Sequence, residues 1–351
     1  MRIRELGIRP GRLPAGPENA ITDVPGVRVG QATFWRDAPY VQRSGATVIW
    51  PHEDDPYVQP VYAASHVLNG YGIITGRAAI DERGLLASPI VLCNTRSVGY
   101  GYEAVLRHYR RTAAGDLPLP VVAECDDGYL NDNRGDAVPI ELFEAALQSA
   151  RGGPVIEGAV GAGTGMHLFG FKGGIGTASR VVLLDGQRYV LGVLLNTNFG
   201  RRQQMVLRGR YYGDAQPRLP DEPAGVSEGS CIGVVATDAP LLPHQLKRVA
   251  QRIGLGLARA GSVGNDGSGE LFLAFSTAQK INPSRRPTSV ASVEGTVGPS
   301  EPSPLNMIFE ATVEATEEAV LNALLQATTT TGRDGHVLSA FPAGMLSGAP
   351  G

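Results

Sequence analysis

The chain has 351 residues, of which 42% are hydrophobic and 19% charged, so it can bury a large core as one big domain or two ordinary ones. A formal net charge of -3 gives no electrostatic footprint for nucleic acid or an anionic membrane. The N-terminal segment MRIRELGIRPGRLPAG has no apolar h-region, and no stretch reaches the roughly 18 apolar residues of a membrane span. We therefore expect a cytoplasmic protein with a small or polypeptide partner.

Metal and disulfide chemistry have little support in the sequence. Cys93, Cys125 and Cys231 are widely spaced and form no CxxC pair, and the six histidines show no ligand spacing. We expect reduced thiols in the core, no metal and no cofactor.

Seven short apolar runs are predicted to be strands, and several are apolar at consecutive positions, which indicates burial on both faces. In chain order they are 46–50, 89–93, 120–124, 179–184, 189–196, 231–237 and 270–277. Helical spacing covers 102–114, 138–151, 243–260 and about 313–328. Helices and buried strands in this mixed order predict an α+β fold with layered sheets and helices outside.

No internal repeat and no clear boundary divides the chain, so 1–351 is predicted to be a single globular domain. The only linker candidate is 211–228. It leads directly into the Gly229-Ser230 bond and then into the apolar run at 231–236.

The Gly229-Ser230 bond is the principal candidate for chemistry. A flexible segment that brings a hydroxyl to the beginning of a buried strand would allow Ser230 to attack the peptide bond before it. Cleavage would leave Ser230 with a free α-amine, whose ordinary pKa of about 7.7–8.0 suits it to act as general base for its own hydroxyl near neutral pH.

The sequence resembles the L-aminopeptidase/D-amidase-esterase family, which includes the β-peptidyl aminopeptidases. The resemblance covers nearly the whole chain. It is carried by ITDVPGVRVG (21–30), NTRSVGYGYEA (94–104), DGYLND (127–132), GAVGAGTGM (158–166), LNTNFG (195–200), GSCIGVVATDAPLLPHQLKR (229–248), GSGELFLAFSTA (267–278) and TGRDGH (331–336).

This resemblance implies a four-layer αββα sandwich, similar to N-terminal nucleophile hydrolases but with different strand connectivity. It also implies an inactive precursor that cleaves itself into an α chain, 1–229, and a β chain, 230–351. The αβ units would assemble into a homo-oligomer, a tetramer by resemblance. Substrates would be small peptides or aminoacyl amides and esters with a free amine.

Ser268 and Glu270 form a second constellation. Residues two apart on a strand point to the same face, so both side chains could meet Ser230 across paired strands. The resemblance assigns them to the hydrogen-bond network around the nucleophile and its amine. The alternative is purely structural, with Glu270 beginning a strand and Ser268 in a Gly-Ser-Gly turn.

Asn198 and Tyr129 are the candidates for an oxyanion hole. By resemblance, Asn198 corresponds to the family's oxyanion-hole asparagine and Tyr129 to its active-site tyrosine. Asn196 is a rival, because it lies two residues earlier on the same face of the strand. Asn198 and Tyr129 could also have purely structural roles, since Asn-Phe-Gly and Asp-Gly-Tyr suit ordinary turns.

The predicted function is that of a self-cleaving N-terminal serine aminopeptidase or amidase that works through an acyl-enzyme on Ser230. One alternative is an acyltransferase of the ornithine acetyltransferase type, although that type normally exposes a threonine. Another is an unprocessed protein that binds a nucleotide or anion at GAVGAGTGM, but this stretch fails the GxGxxG pattern.

Overall fold

A computed structural model describes residues 1–112, 116–184, 186–207, 209–212, 222–226, 229–281, 289–293 and 303–346. Most of the proposed linker, 211–228, lies outside the described residues. The helices are α1 Arg77–Arg83, α2 Val98–Thr112, α3 Ile140–Gln148, α4 Pro243–Arg259 and α5 Leu305–Gln326. The strands are β1 Arg28–Arg36, β2 Gln42–Trp50, β3 Val61–Gly70, β4 Leu85–Leu86, β5 Ile90–Asn94, β6 Val121–Cys125, β7 His167–Leu168, β8 Phe171–Lys172, β9 Ile175–Leu184, β10 Gln187–Phe199, β11 Val206–Leu207, β12 Arg210–Tyr211, β13 Gly229–Thr237, β14 Gly269–Lys280, β15 Thr330–Thr331 and β16 Val337–Leu338.

The predicted α+β architecture is confirmed. Within the described residues, one sheet has the order β1-β2-β5-β6, and a larger sheet has the order β4-β3-β14-β13-β10-β7-β8, with β9 also paired to β10. Helices α2 and α3 pack on the smaller sheet, and α4 and α5 pack on the larger one. The two sheets face each other between these helix layers, which makes the αββα sandwich.

Three apolar clusters fill the spaces between the four layers. Val48, Phe143 and their neighbours separate the smaller sheet from its helices. A second cluster, which includes Ile232, lies between the sheets, and a third, which includes Cys231, lies under α4 and α5. The side chains of β13 therefore alternate between two buried interfaces, which explains why its sequence is apolar at consecutive positions.

The glycine-rich stretch 158–166 packs against other backbone. It contains a short 3-10 turn at Gly161–Gly163, and a side chain on Gly174 would lie 2.0 Å from the carbonyl oxygen of Gly158. The buried Nζ of Lys172 donates to the carbonyls of Gly163, Met166 and Gly173 at 3.0, 2.6 and 2.8 Å. This lysine holds the stretch together from inside, so 158–166 is a tightly packed backbone segment.

Candidate active site

Ser230 lies at the beginning of β13, the strand between β10 and β14. Its register partners are Asn198 on the antiparallel neighbour and Gly269 on the parallel neighbour. The N–H of Gly269 donates to Oγ of Ser230 at 3.2 Å. Because Ile232 two residues later packs between the sheets, the Ser230 side chain points toward that interface as well. The hydroxyl is thus held by backbone on the inner face of the larger sheet.

Gly229 has a backbone conformation that other residues rarely adopt. Its φ is 78°, and a Cβ built on it would lie 1.6 Å from the carbonyl oxygen of Asn198. A side chain here would push β13 away from β10. The glycine before the candidate nucleophile is therefore required by the close approach of two strands.

A cavity of about 450 Å³ opens beside Ser230. That volume lies within the range of small-molecule sites. The lining comes from the ends of strands and the loops of both sheets: Tyr71, Gly72, Ile73, Thr95, Arg96, Glu124, Asp126, Asn133, Gly229, Ser230 and Gly267. A small peptide or aminoacyl derivative can thus reach the serine.

Glu124 contributes a buried carboxylate to this cavity. It is 5% exposed, Oε1 accepts a hydrogen bond from the N–H of Ile73 at 3.0 Å, and Oε2 accepts one from the hydroxyl of Thr95. Burial raises the pKa of Glu124. Sequence reasoning placed this residue only as the end of a strand, although one carboxylate closing an otherwise apolar run was a usable signal.

The Asn198 side chain shares the inner face with Ser230, because directly paired residues on neighbouring strands point the same way. Its Oδ1 accepts from the backbone N–H of His167 at 3.0 Å, and its Nδ2 donates to the carbonyl of Asp126 at 2.8 Å. These bonds fix the amide orientation and leave one N–H of Nδ2 available. Asn196 pairs with Ile232, which lies two residues after Ser230 on β13 and therefore further from the cavity.

Ser268 and Glu270 lie together, with the hydroxyl of Ser268 donating to Oε1 of Glu270. The register, however, pairs Glu270 with Cys231, whose side chain packs on the helix side of the sheet. Ser230 and Glu270 therefore project from opposite faces, and no hydrogen bond between described residues joins their side chains. Burial raises the pKa of Glu270, while hydrogen bonds from the side chains of Ser268 and Asn69 oppose that rise.

Tyr129 lies in the loop after β6, between the cavity-lining residues Asp126 and Asn133. Its ring stacks on His336 with 4.6 Å between centroids, and it is not among the lining residues of the cavity. Burial raises the pKa of Tyr129, so its hydroxyl stays protonated at neutral pH. Tyr129 thus lies in a loop whose neighbouring residues Asp126 and Asn133 line the cavity.

Across the described ranges, no cluster of three or more His, Cys, Asp or Glu side chains is arranged to hold a metal ion. The described helices also include none that is long and apolar enough to cross a membrane.

The chain is similar to known peptidases along nearly its whole length. The model of peptidase family S58 matches residues 19–338. The β-peptidyl aminopeptidase BapA of Sphingosinicella microcystinivorans is 42% identical, over 98% of this chain and 90% of the relative. A Burkholderia sp. β-aminopeptidase structure is 41% identical with a TM-score of 0.88, covering 99% of this chain and 97% of that one.

A third relative bears on the fold. The structure of the L-aminopeptidase D-Ala-esterase/amidase from Ochrobactrum anthropi is 37% identical with a TM-score of 0.88, and covers 98% of this chain and 96% of that one. That enzyme is a prototype for the serine aminopeptidases and a new variant among the Ntn hydrolase fold.

The fold and the serine at the beginning of a central strand define a hydrolase of the N-terminal serine aminopeptidase class. The chain belongs to peptidase family S58. These findings confirm the predicted enzyme class and do not favour the acyltransferase or the nucleotide-binding alternative.

Proposed function

We propose that this protein cleaves itself between Gly229 and Ser230 and then hydrolyses small peptides, aminoacyl amides or esters through an acyl group carried on Ser230. The position of the Ser230 hydroxyl carries this proposal. It lies at the beginning of a strand and beside a cavity that residues of both sheets line. The residue before it must be glycine, because a side chain there would clash with the neighbouring strand. The resulting chains would be 1–229 and 230–351.

In the turnover reaction the α-amine of Ser230 accepts the Oγ proton while Oγ attacks the substrate carbonyl carbon. The amine then returns the proton to the leaving group, and water repeats the sequence on the acyl-enzyme. The available N–H of Asn198 Nδ2 donates to the oxyanion, because Asn198 and Ser230 share one face of the sheet. Tyr129 is a further donor, from the loop beside the cavity.

Ser268 and Glu270 serve the amine of Ser230 in this proposal, and not its hydroxyl. The Glu270 side chain projects from the opposite face, whereas the nitrogen of Ser230 is a main-chain atom between the two faces. The carboxylate of Glu270 and the hydroxyl of Ser268 are the groups available to the aminium that forms during attack. A carboxylate there stabilises the protonated amine.

Glu124 binds the free amine of the substrate. Its carboxylate is held by Ile73 and Thr95 in the cavity wall, and an ammonium group there would form a partly desolvated ion pair. This contact accounts for exopeptidase action, since an internal peptide bond brings no charged amine. Assembly into a homo-oligomer and a cytoplasmic location stay predictions from the sequence.

The first test is the state of the purified chain. Scaling 36.9 kDa by residue count predicts two fragments of about 24 and 13 kDa, with Ser230 as the new N-terminus. Ser230→Ala removes the attacking hydroxyl, so this variant should remain full-length and inactive. Denaturing gels and intact mass measure both outcomes. A wild-type chain that stays full-length and is nevertheless active would exclude the N-terminal serine mechanism.

The Glu270→Gln substitution separates a catalytic from a structural role. The amide keeps the shape and one acceptor oxygen but loses the charge that supports the aminium, so kcat should fall by about 10²–10⁴. The measurement is kcat/KM of processed, folded protein on aminoacyl p-nitroanilides. A value within about threefold of wild type would return Glu270 to a structural role.

Glu124→Gln tests recognition of the substrate amine. Losing a buried charge partner of an ammonium typically costs about 2 kcal/mol or more, so kcat/KM should fall about 30-fold or more. Asp126→Asn is the matched control, because Asp126 lines the same cavity but is exposed, where water and salt screen its charge. An equal or larger loss in Asp126→Asn would show that Glu124 is not the amine anchor.

A further inference from the structure

The His167 ring lies beside the bond that is proposed to break. His167 is on β7, which meets β10 on the edge opposite to β13. A Cβ built on Gly229 would lie 3.0 Å from the ring nitrogen Nε2 of His167, so the ring faces the space next to Gly229. The backbone N–H of the same residue holds the Asn198 amide in place. His167 thus lies next to Gly229 through its ring and is bonded to the proposed oxyanion donor through its backbone.

The ring of His167 is enclosed yet has no hydrogen-bond partner among the described residues. It is 2% exposed, and both Nδ1 and Nε2 lack partners there. Burial, with a smaller contribution from Lys172, lowers the pKa of His167 to about 3. The imidazole is therefore neutral at physiological pH and carries one N–H that can be donated.

Self-cleavage cannot use the free α-amine of Ser230 that assists turnover, so it requires another group. Oγ of Ser230 attacks the carbonyl carbon of Gly229, and the carbonyl oxygen becomes an alkoxide. The C–N bond then breaks as the nitrogen of Ser230 takes up the proton lost by Oγ, which leaves an ester. Water hydrolyses the ester to the Gly229 carboxylate and the free Ser230 hydroxyl. Until the C–N bond breaks, the amine of Ser230 is tied up in the peptide bond.

We infer that His167 is a catalytic residue of self-cleavage, in which its ring N–H donates to the oxyanion that forms on the Gly229 carbonyl. A neutral imidazole suits this task because it donates a hydrogen bond without giving up its proton. The neutral active-site histidine of triosephosphate isomerase acts in this way. After cleavage Gly229 is a chain end and the substrate carbonyl lies in the cavity. His167 then takes no part in turnover.

This inference rests on the proposed self-cleavage and is tested with two variants of nearly equal shape. His167→Gln keeps an N–H donor at similar reach, whereas His167→Met has none. Cell-free translation of the full chain, sampled over time on denaturing gels, gives the cleavage rate. Removing one oxyanion donor typically slows a reaction by about 10²–10³, so the Met variant should cleave that much more slowly than wild type, and the Gln variant within about tenfold of it.

Controls separate this role from loss of folding. His108→Leu removes a histidine of α2 far along the chain from the bond and should cleave at the wild-type rate. Each His167 substitution is also made with Ser230→Ala, and thermal unfolding of the uncleaved chain shows whether it folds. His167→Leu replaces the Met variant if the latter does not fold. Activity per processed chain, counted by the Ser230 N-terminus, should stay within threefold of wild type.

The outcomes distinguish this inference from the proposal on which it rests. If the wild-type chain does not cleave, the proposed function fails. If the wild-type chain cleaves and the Met and Gln variants cleave equally fast, only the role of His167 is overturned. A loss of turnover per processed chain as large as the loss of cleavage rate would also overturn it.

Discussion

The register of β13 between β10 and β14 is the constraint on which the site depends. It places Ser230 opposite Asn198 and Gly269, and it brings Gly229 so close to the Asn198 carbonyl that no side chain fits. Because side chains alternate with a period of two, a slip of one residue would turn Ser230 away from the cavity and bury the hydroxyl under α4 and α5. The register of β13 therefore fixes the strand pairing and the catalytic geometry together.

The two faces of the larger sheet divide the chemistry of the site. The face toward the smaller sheet carries the hydroxyl of Ser230 and the amide of Asn198, and it opens into the cavity with Glu124. The other face carries Glu270, which is buried and bonded to Ser268. A main-chain atom at the beginning of β13 lies between these two faces. An N-terminal amine is such an atom, which fits its proposed use as the base.

Much of this arrangement could be predicted from local sequence. All seven predicted strand runs fall largely within observed strands, and the stripe of Leu246, Val249 and Ile253 correctly indicated α4. The α5 helix begins at Leu305, earlier than the predicted 313, because the apolar spacing extends back through Ile308.

What the sequence left out depends on contacts between distant segments. The period of two correctly put Ser268 and Glu270 together, but only the register with β13 reveals that Ser230 faces the other way. His167 had no distinctive spacing, since its position beside Gly229 comes from two strands on opposite edges of β10.

The most direct test of the central claim is to incubate the protein with a slowly deacylating aminoacyl ester, quench it in acid and map the modified residue by mass spectrometry. We expect one acyl group per chain, on the side chain of Ser230; an acyl group on any other residue would contradict the account.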